Sequence, residues 1–479
     1  MKDNDMAMLI DFYELTMANG VWHSKNRNKI AYFDMFFRRI PDEGGYAVLA
    51  GIEPLIEYLN SLSFSEEDIE YIKSQNCFCD EFIEYLKDFK FTCDVWSIPE
   101  GTPVFPYEPL ITVKGPIIQL FLIETMLLLT VNHQTLIATK ATRIVRAAKG
   151  RAVMEFGARR AHGYAASIYG ARAAYIAGCV GTSCVKAGQD FNIPVSGTMA
   201  HSWVQLFDSE YEAFKKYAET YPNNCLLLVD TYNTLKSGLP NAIKVFDEVL
   251  KPLGCRPKGI RIDSGDITYL SKKARKMLDE AGYPDAKICV SNSLDEYLIR
   301  DMLIQGAMVD SFGVGERLIT ASSEAVFGGV YKLAAVEDED GNIIPRIKLS
   351  NNTSKITTPC FKQCWRLYDR ETNKAIADVV TMRDEVIDDS KDYEIFDPEF
   401  TWKRKTVTSF IAKPLQIKIF ENGKQIYNSP STEEIKVYAK EQLETLWDEV
   451  LRFEKPHKYY VDLSQKLWDI RNDLINKNS

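Results

Sequence analysis

The stretch that decides the fold is Arg151–Arg160, RAVMEFGARR, an apolar run that ends in charged side chains. A second stretch, Pro194–Trp203 with the sequence PVSGTMAHSW, ends in hydroxyls and an imidazole. Each has the form of a strand whose polar residues stand at its carboxyl end. Because the carboxyl ends of parallel strands converge on one rim, where ligands collect, the two stretches predict a shared site.

The same pattern recurs along the chain. Five further apolar runs end in polar residues: Cys179–Ser183, Leu226–Thr231, Gly259–Asp266, Lys287–Asn292 and Ser311–Arg317. Helical spacing lies between them, over Leu239–Leu253, Ile267–Ala281 and Leu294–Gln305. This alternation of strand and helix predicts an α/β fold with seven parallel strands, close to a closed, irregular (β/α) barrel. An open doubly wound sheet is the alternative.

The chain of 479 residues is long enough for two or three domains. A helix is predicted over residues 5–22, and alternating β-branched residues with Pro and Gly predict strands from 91 to 116. A discontinuous β-rich α+β domain is expected beside the barrel, with C-terminal helices. The predicted boundaries are 1–116 for the N-terminal α+β part, 117–150 for a connecting helix, 151–335 for the barrel, 336–430 for a β-rich part packing with the N-terminal region, and 431–479 for the C-terminal helices.

Bulk composition excludes several classes of protein. Lys and Arg total 58 against 67 Asp and Glu, so the net charge of −9 argues against a nucleic-acid partner. Residues 1–5 do not resemble a secretory signal, and the apolar segment 120–137 is interrupted by polar residues, so we expect a cytoplasmic protein without a membrane partner. Ten scattered cysteines suggest reduced thiols. Four of them lack the usual zinc spacing, and whether they bind metal stays open: Cys77, Cys79, Cys360 and Cys364.

Familiar nucleotide and hydrolase motifs are absent. The sequence has no P-loop, no Gly-x-Ser-x-Gly elbow and no His-x-x-x-His pair among its five histidines. The motifs that are present fit a ligand that contains phosphate and sugar better. Gly313-Val-Gly315 at a strand-to-helix turn offers backbone N–H groups to a phosphate, although a tight turn explains the glycines equally well. Asp263 and Asp266 suit ribose hydroxyls or a magnesium ion, although Asp266 alone also fits a helix N-cap.

Three further side chains have chemistry that the rim could use. His201 can act as acid, base or covalent nucleophile, although a lone histidine is often structural. Arg159 can pair with an anionic substrate group through its planar fork, the alternative being an ion pair between subunits. Phe156 offers a face for stacking.

Taken together, the motifs resemble the nicotinate phosphoribosyltransferase family. The resemblance rests on ordered motifs from residue 10 to about 340 and is looser beyond: Asp11–Met17, Phe37–Pro41, Glu155–Arg160, Gly181–Ser183, Gly197–Ser202, Ile262–Asp266 and Gly313–Gly315. It implies that nicotinate is joined to phosphoribosyl pyrophosphate, with ATP hydrolysis coupled to the reaction and Mg²⁺ as the cation.

The resemblance also implies roles for individual residues. His201 would be phosphorylated by ATP, with Asp263 as its catalytic partner. Phe156 would hold the pyridine ring against Tyr13 of the partner subunit in a homodimer. The remaining implied contacts are Arg159 and Thr198 for the nicotinate carboxylate, Arg261, Asp263, Ser264, Gly313, Gly315 and Arg317 for ribose and phosphates, and Asp263 with Asp266 for the metal.

Two positions bear on substrate choice and phosphate binding. Many relatives carry a hydroxyl after Gly-x-Gly, whereas Glu316 and Arg317 follow here, so backbone or Arg317 would replace that contact. Ser183 stands where the related nicotinamide enzyme has aspartate, and a neutral hydroxyl suits a ring that bears a carboxylate. The alternatives are nicotinamide or quinolinate as the acceptor, or a non-catalytic barrel that binds a phosphosugar.

Overall fold

The computed structural model describes residues 6–478 and divides into two units. The inserted unit comprises Ile137–Ala325. The discontinuous unit combines the chain up to Leu136 with the chain from Val326 onward. Residues 1–5, where the sequence predicts no secretory signal and where the predicted first helix begins, lie outside the described residues, as does Ser479.

The first part of the discontinuous unit mixes helices and short strands. Its elements are α1 (Phe12–Trp22), β1 (Ile30–Phe36), β2 (Ala47–Val48), α2 (Ile52–Ser61), α3 (Glu66–Ser74), α4 (Asp80–Lys87), β3 (Asp94–Ser97), β4 (Pro103–Val104), β5 (Ile111–Pro116), α5 (Ile117–Leu122) and α6 (Glu124–Ala147), the last of which continues into the inserted unit.

Strand and helix alternate through the inserted unit. Its elements are β6 (Ala152–Glu155), α7 (Tyr164–Ile176), β7 (Gly181–Thr182), α8 (Val185–Phe191), α9 (His201–Leu206), α10 (Glu210–Thr220), β8 (Leu226–Leu228), α11 (Leu239–Val245), β9 (Gly259–Ile262), α12 (Ile267–Glu280), β10 (Lys287–Ser291), α13 (Glu296–Ile304), β11 (Ser311–Val314) and α14 (Glu316–Ile319).

The second part of the discontinuous unit is mainly strands. Its elements are β12 (Val330–Glu337), β13 (Ile343–Pro345), β14 (Lys362–Asp369), β15 (Ala375–Met382), β16 (Tyr393–Phe396), β17 (Arg404–Val407), β18 (Phe410–Pro414), β19 (Ile417–Glu421), β20 (Lys424–Gln425), α15 (Thr432–Glu444), β21 (Val461–Leu463) and α16 (Gln465–Asn478).

The parallel sheet of the inserted unit confirms the predicted α/β class. Its six strands lie in the order β7-β6-β11-β10-β9-β8, and every pairing is parallel. The first strand of the unit, β6, therefore lies beside the last, β11. In a doubly wound sheet the first strand would instead lie beside a middle strand. Among the described residues no ladder joins Val195 to β8.

The discontinuous unit is built on antiparallel sheets from both of its segments. A seven-stranded sheet has the order β13-β12-β1-β5-β3-β19-β20, so β1 from the first segment pairs with β12 from the second. A four-stranded sheet has the order β18-β14-β15-β21. None of the helices in residues 6–478 combines the length and apolar character needed to cross a bilayer.

Helix predictions in the inserted unit hold closely. The segments predicted as helical over 267–281 and 294–305 are α12 and α13, and the segment predicted over 239–253 is α11 followed by a π-helical turn. Each of α12 and α13 begins after an aspartate whose side chain accepts a hydrogen bond from a backbone N–H in the first turn. Such caps satisfy donors that the helix itself leaves unpaired, which explains why these boundaries can be read locally.

Several predicted elements are wrong in detail. The helix predicted from residue 5 begins at Phe12, and the helix predicted over 117–150 is broken at Ile123 into α5 and α6. The strand predicted at Pro194 is reduced to a single bridge between Val195 and Thr182, and the Val195 side chain is exposed instead of lying in the core. The C-terminal segment also contains a strand, β21, which lies between the two predicted helices in sequence and pairs with β15.

Candidate active site

The register of the parallel sheet aligns polar residues along its carboxyl edge. Ser291 of β10 pairs with Gly313 of β11, while Val290 pairs with Ile262 of β9. Asp263, the residue after Ile262, therefore lies level with Ser291, and Ser291 Oγ donates a hydrogen bond to Asp263 Oδ1. Three neighbouring strand ends thus contribute to one row, as the repeated pattern of apolar runs ending in polar residues predicts.

The row continues through β6 to β7. Glu155 pairs with Val314 on one side and with Thr182 on the other. The backbone of Phe156 extends this alignment, because its N–H donates to Val314 O at 2.8 Å. Phe156 is thereby held at the same edge as Asp263 and Ser291.

His201 occupies the first position of α9 and faces two loops of the rim. Its Nδ1 lies 3.1 Å from Thr231 Oγ1, and its Nε2 lies 3.7 Å from Asp263 Oδ2. The second distance is too long for a hydrogen bond but is that of a close charge pair when the ring is protonated. Because 39% of the His201 side chain remains exposed, the imidazole is both oriented by the protein and open to a reactant.

Arg261 joins three of the rim loops with one guanidinium. Its Nη1 donates to Thr198 Oγ1 at 2.9 Å and its Nε to Ser291 Oγ at 3.1 Å, while Nη2 lies 3.7 Å from Asp263 Oδ2. The planar fork fixes these directions together. A permanent positive charge consequently stands beside Asp263, close to where the sequence places ribose and phosphate.

Asp230 supports the loop that carries Asp263, a role the sequence analysis did not assign. Asp230 Oδ2 accepts the N–H of Asp263 at 2.9 Å and the hydroxyl of Ser264 at 2.5 Å. The hydroxyl of Ser264, which the sequence predicted to contact ribose or phosphate, therefore already donates its hydrogen bond to a residue of the protein. The sequence could have predicted this position, because Asp230 and Thr231 directly follow an apolar run, as Asp263 does.

Phe156 lies directly against Gly313. A Cβ on Gly313 would stand 2.4 Å from Phe156 Cδ2 and 2.5 Å from Cε2, so only glycine leaves room for the ring. Gly313 lies inside β11, whereas Gly315 precedes α14 and has its nearest neighbour, Phe156 O, at 3.5 Å from such a Cβ. The phosphate roles of both glycines stay predictions, and the structure supplies a different reason for the glycine at 313.

The predicted anion-binding arginines have different surroundings. Arg159 is exposed and follows Phe156 in a short 3₁₀ turn. Arg317 pairs with Asp295, whose other oxygen caps α13. Glu316, which follows Gly315, accepts a hydrogen bond from Ser293 at 2.8 Å. Arg159 is therefore available to a ligand, while Arg317 already has an anionic partner.

Tyr13 belongs to the discontinuous unit, in the first turn of α1. It is 45% exposed, and other apolar side chains of this segment are exposed with it: Leu9, Phe12 and Met17. Burial of part of the ring and the neighbouring Glu124 raise the pKa of the Tyr13 hydroxyl. The hydroxyl therefore stays protonated at neutral pH.

The predicted metal ligands are only partly available. Asp266 Oδ1 accepts the N–H of Tyr269 at 2.9 Å and caps α12, as the alternative reading of its sequence proposed. Asp263 keeps a partly exposed carboxylate, although Arg261 lies next to it. Two carboxylates are few for a magnesium ion, which takes six oxygen ligands, so phosphate oxygens and water would have to supply most of them.

A separate cluster of potential metal ligands lies buried in the discontinuous unit. Among the described residues, Glu108, Cys364 and Asp378 bring ligand atoms within 4.8 Å of one another. Both oxygens of Asp378 accept hydrogen bonds from Arg366, at 2.8 and 2.6 Å, so a guanidinium already occupies the place of a cation. All ten cysteines are free thiols.

Comparisons with known proteins match nearly the whole chain. Family models described as the nicotinate phosphoribosyltransferase N-terminal domain, the nicotinate phosphoribosyltransferase family and the nicotinate phosphoribosyltransferase C-terminal domain match residues 8–132, 151–342 and 361–471. The nicotinate phosphoribosyltransferase of Bacillus subtilis is 46% identical over 99% of this chain and 96% of its own length.

Solved structures resemble the chain over a similar extent. Human nicotinic acid phosphoribosyltransferase superposes with a TM-score of 0.87 at 28% identity, covering 98% of this chain and 100% of the human one. A nicotinate-nucleotide pyrophosphorylase from Pyrococcus furiosus gives a TM-score of 0.70 at 25% identity, covering 93% and 97%.

Proposed function

Because the chain belongs to the nicotinate phosphoribosyltransferase family, we propose that the carboxyl rim of the inserted unit is where it joins nicotinate to phosphoribosyl pyrophosphate. The activity itself, nicotinate phosphoribosyl transfer in NAD salvage, follows from the family. Nicotinamide, quinolinate and a non-catalytic barrel are set aside as alternatives. The observation that carries the location is the approach to Asp263 of His201, at the start of α9, together with that of Arg261, in the strand that leads to Asp263.

Catalysis of this reaction depends mainly on where charged side chains stand relative to the sugar and the leaving group. The pyridine nitrogen forms a bond to the anomeric carbon of ribose while the bond from that carbon to pyrophosphate breaks, so positive charge develops on the sugar and negative charge on the leaving group. Asp263 stabilises the first and Arg261 the second, with Ser264, Gly313, Gly315 and Arg317 as the further phosphoribosyl contacts. Magnesium, held by Asp263 and Asp266 together with substrate oxygens, would neutralise pyrophosphate.

Nicotinate is proposed to stack on Phe156. The Cδ2–Cε2 edge of the ring lies against Gly313 and the residue is partly exposed, which leaves a surface for a flat ligand. Arg159 is exposed three residues later and can pair with the carboxylate, with Thr198 as a hydroxyl partner. The Tyr13 of the partner subunit closes the other face, a role for which the exposed apolar side chains of the α1 segment provide support.

ATP coupling is proposed to run through His201. The γ-phosphoryl group transfers to a ring nitrogen, ADP leaves, and water later removes the phosphate from the histidine. The contact with Thr231 and the partial exposure of the imidazole support this role. A phosphate on His201 would put negative charge opposite Asp263 and beside Arg261, which changes the affinity of the rim for anionic substrates and products.

We extend the proposal to the architecture and the location. The strand order supports an irregular (β/α) barrel with its gap between Val195 and β8. Six of the ten cysteines are buried free thiols, which supports a reducing compartment such as the cytoplasm.

The test is labelling with ATP that carries a radioactive γ-phosphate. We expect an acid-labile, base-stable phosphate on the peptide that contains His201, and its loss in His201→Asn together with the loss of ATP-dependent stimulation. His457→Asn is the matched control, because His457 is exposed and lies in the discontinuous unit. Unchanged labelling in His201→Asn would refute the phosphohistidine.

A further inference from the structure

Glu155 is a fully buried carboxylate directly before Phe156. One oxygen, Oε1, accepts the N–H of Gly157, and the other, Oε2, accepts the hydroxyl of Thr182 at 2.6 Å. Across residues 6–478 no lysine, arginine or histidine forms an ion pair with it. Burying a charge without a cation is costly, and hydrogen bonds to both oxygens offset only part of that cost. Burial accordingly raises the pKa of Glu155, although both hydrogen bonds oppose the shift.

One contact of Glu155 is with the residue after Phe156, and the other is with a residue of the neighbouring strand β7. The bond to Gly157 closes the turn that follows the ring, and the bond to Thr182 ties that turn to β7. Thr182 Oγ1 in turn accepts the N–H of Cys184 at 2.9 Å. The carboxylate therefore fixes the turn on one strand and the start of the loop on the next.

Thr182 passes the connection on to the loop that leads to His201. Its N–H donates to Pro194 O and its O accepts the N–H of Ser196, both at 3.0 Å. Two residues later Thr198 meets Arg261. Glu155 thus stands at the junction of the Phe156 turn with the segment that enters α9.

The backbone of Gly157 has little room to move by itself if the hydrogen bonds of Glu155 are lost. A Cβ there would stand 2.5 Å from Ile319 and 2.8 Å from Gly315 O, so the backbone of the turn is packed tightly against α14 and the residue before it. A shift of the turn must therefore move Phe156, whose ring lies on Gly313, rather than Gly157 alone.

From these contacts we infer that Glu155 is a positioning residue that sets the tilt and depth of the Phe156 ring for the pyridine, through its paired bonds to Gly157 and Thr182. The inference rests on the proposed stacking of nicotinate on Phe156. Glu155 itself touches no substrate, because it is fully buried.

Two substitutions interrupt the junction at different atoms. Glu155→Gln replaces one acceptor with an NH₂ group, which cannot serve both Gly157 N–H and the Thr182 hydroxyl in its present orientation. Thr182→Val removes the hydroxyl at nearly constant volume, whereas Thr182→Ser keeps it. We expect a rise of roughly tenfold or more in KM for nicotinate with Glu155→Gln and Thr182→Val, a smaller change in kcat, and recovery with Thr182→Ser.

The kinetic measurements distinguish a positioning role of Glu155 from a general loss of structure in the variants. KM for phosphoribosyl pyrophosphate should rise less than KM for nicotinate, because Arg261 keeps its own contacts with Ser291 and Asp263 when the junction is interrupted. In the double variant the two effects should not multiply, because both remove the same connection. Thr142→Val is the matched control, since Thr142 is a buried threonine in α6 whose hydroxyl also bonds within the protein, and its KM for nicotinate should stay at the wild-type value.

Phe156→Leu distinguishes this inference from the proposed function. If Phe156→Leu raises KM for nicotinate while Glu155→Gln and Thr182→Val do not, the positioning role is refuted and stacking stands. If Phe156→Leu leaves that KM unchanged, the stacking proposal fails first. Equal increases in KM for both substrates, or the same increase in Thr142→Val, would reduce Glu155 to an ordinary buried residue and overturn the inference.

Discussion

Gly313→Ala should displace the Phe156 ring by a predictable amount. The new Cβ would stand 2.4 Å from Phe156 Cδ2. An ordinary contact between carbon atoms needs about 3.5 Å, so the ring or β11 must retreat by about 1 Å. Because β11 lies between two other strands of the sheet, the partly exposed ring is the part that yields.

A displacement of about 1 Å in a group that orients a reactant costs roughly 100-fold in rate. We therefore expect kcat/KM for nicotinate to fall by about that factor, and the free energy of unfolding to fall by about 1–3 kcal/mol from the added volume. Steady-state kinetics with nicotinate varied at saturating phosphoribosyl pyrophosphate measure the first effect, and urea denaturation measures the second.

The matched control is Gly328→Ala, where a Cβ would meet nothing within 4 Å. It should leave both kinetics and stability close to wild type. Should Gly313→Ala keep wild-type kcat/KM for nicotinate, the ring either does not rest on Gly313 or does not orient the substrate, and the reasoning from the close contact is refuted.

Three further predictions test other parts of the structure. Asp230→Ala should lower kcat/KM roughly 10- to 100-fold without altering oligomeric state, because a buried backbone donor and a hydroxyl lose their acceptor; normal kinetics would show that the loop needs no such support. Asp378→Asn should lower the free energy of unfolding in urea by about 3–5 kcal/mol, since Arg366 would be left buried with only part of its partner; a loss below 1 kcal/mol would contradict this. Burial raises the pKa of Glu14 to about 7, so wild type should lose stability as pH rises from about 4.5 to 7, and Glu14→Gln should lack this loss when urea midpoints are compared at pH 5 and 8; parallel pH profiles would contradict the assignment.

The local sequence pattern was sufficient to predict those features of the structure that depend on residues close together in the chain. The strand ends of the inserted unit were predictable because an apolar run followed by polar residues describes both a buried strand and its rim. The cap at Asp266 was readable for the same reason, since the acceptor and its donor are three residues apart. The rim positions of His201 and Asp263 follow from this pattern and from the parallel order of the strands.

The remainder depends on partners far along the chain. The contact between Phe156 and Gly313 cannot be read from either segment, because both residues fit other roles in isolation. The pairing of Arg317 with Asp295 is equally hidden in the sequence, where the two residues are far apart. The strand β21 is three residues long and lies between polar segments, so only its pairing with β15 identifies it. Sequence pattern indicates which groups are available, whereas long-range packing decides which of them are already occupied.

The split of one unit across both ends of the chain has a consequence for biosynthesis. Tyr32 of β1 bonds Glu337 at the end of β12, 305 residues later. At ribosomal rates of about 5–20 residues per second, β1 waits roughly 15–60 s for that partner to be translated. The segment 137–325 is contiguous and is complete before the waiting ends. During this interval β5 can already pair with one edge of β1, but the edge that pairs with β12 stays open on the nascent chain. Slow translation or premature termination should therefore expose the polypeptide to chaperones and proteases at that edge of β1 first.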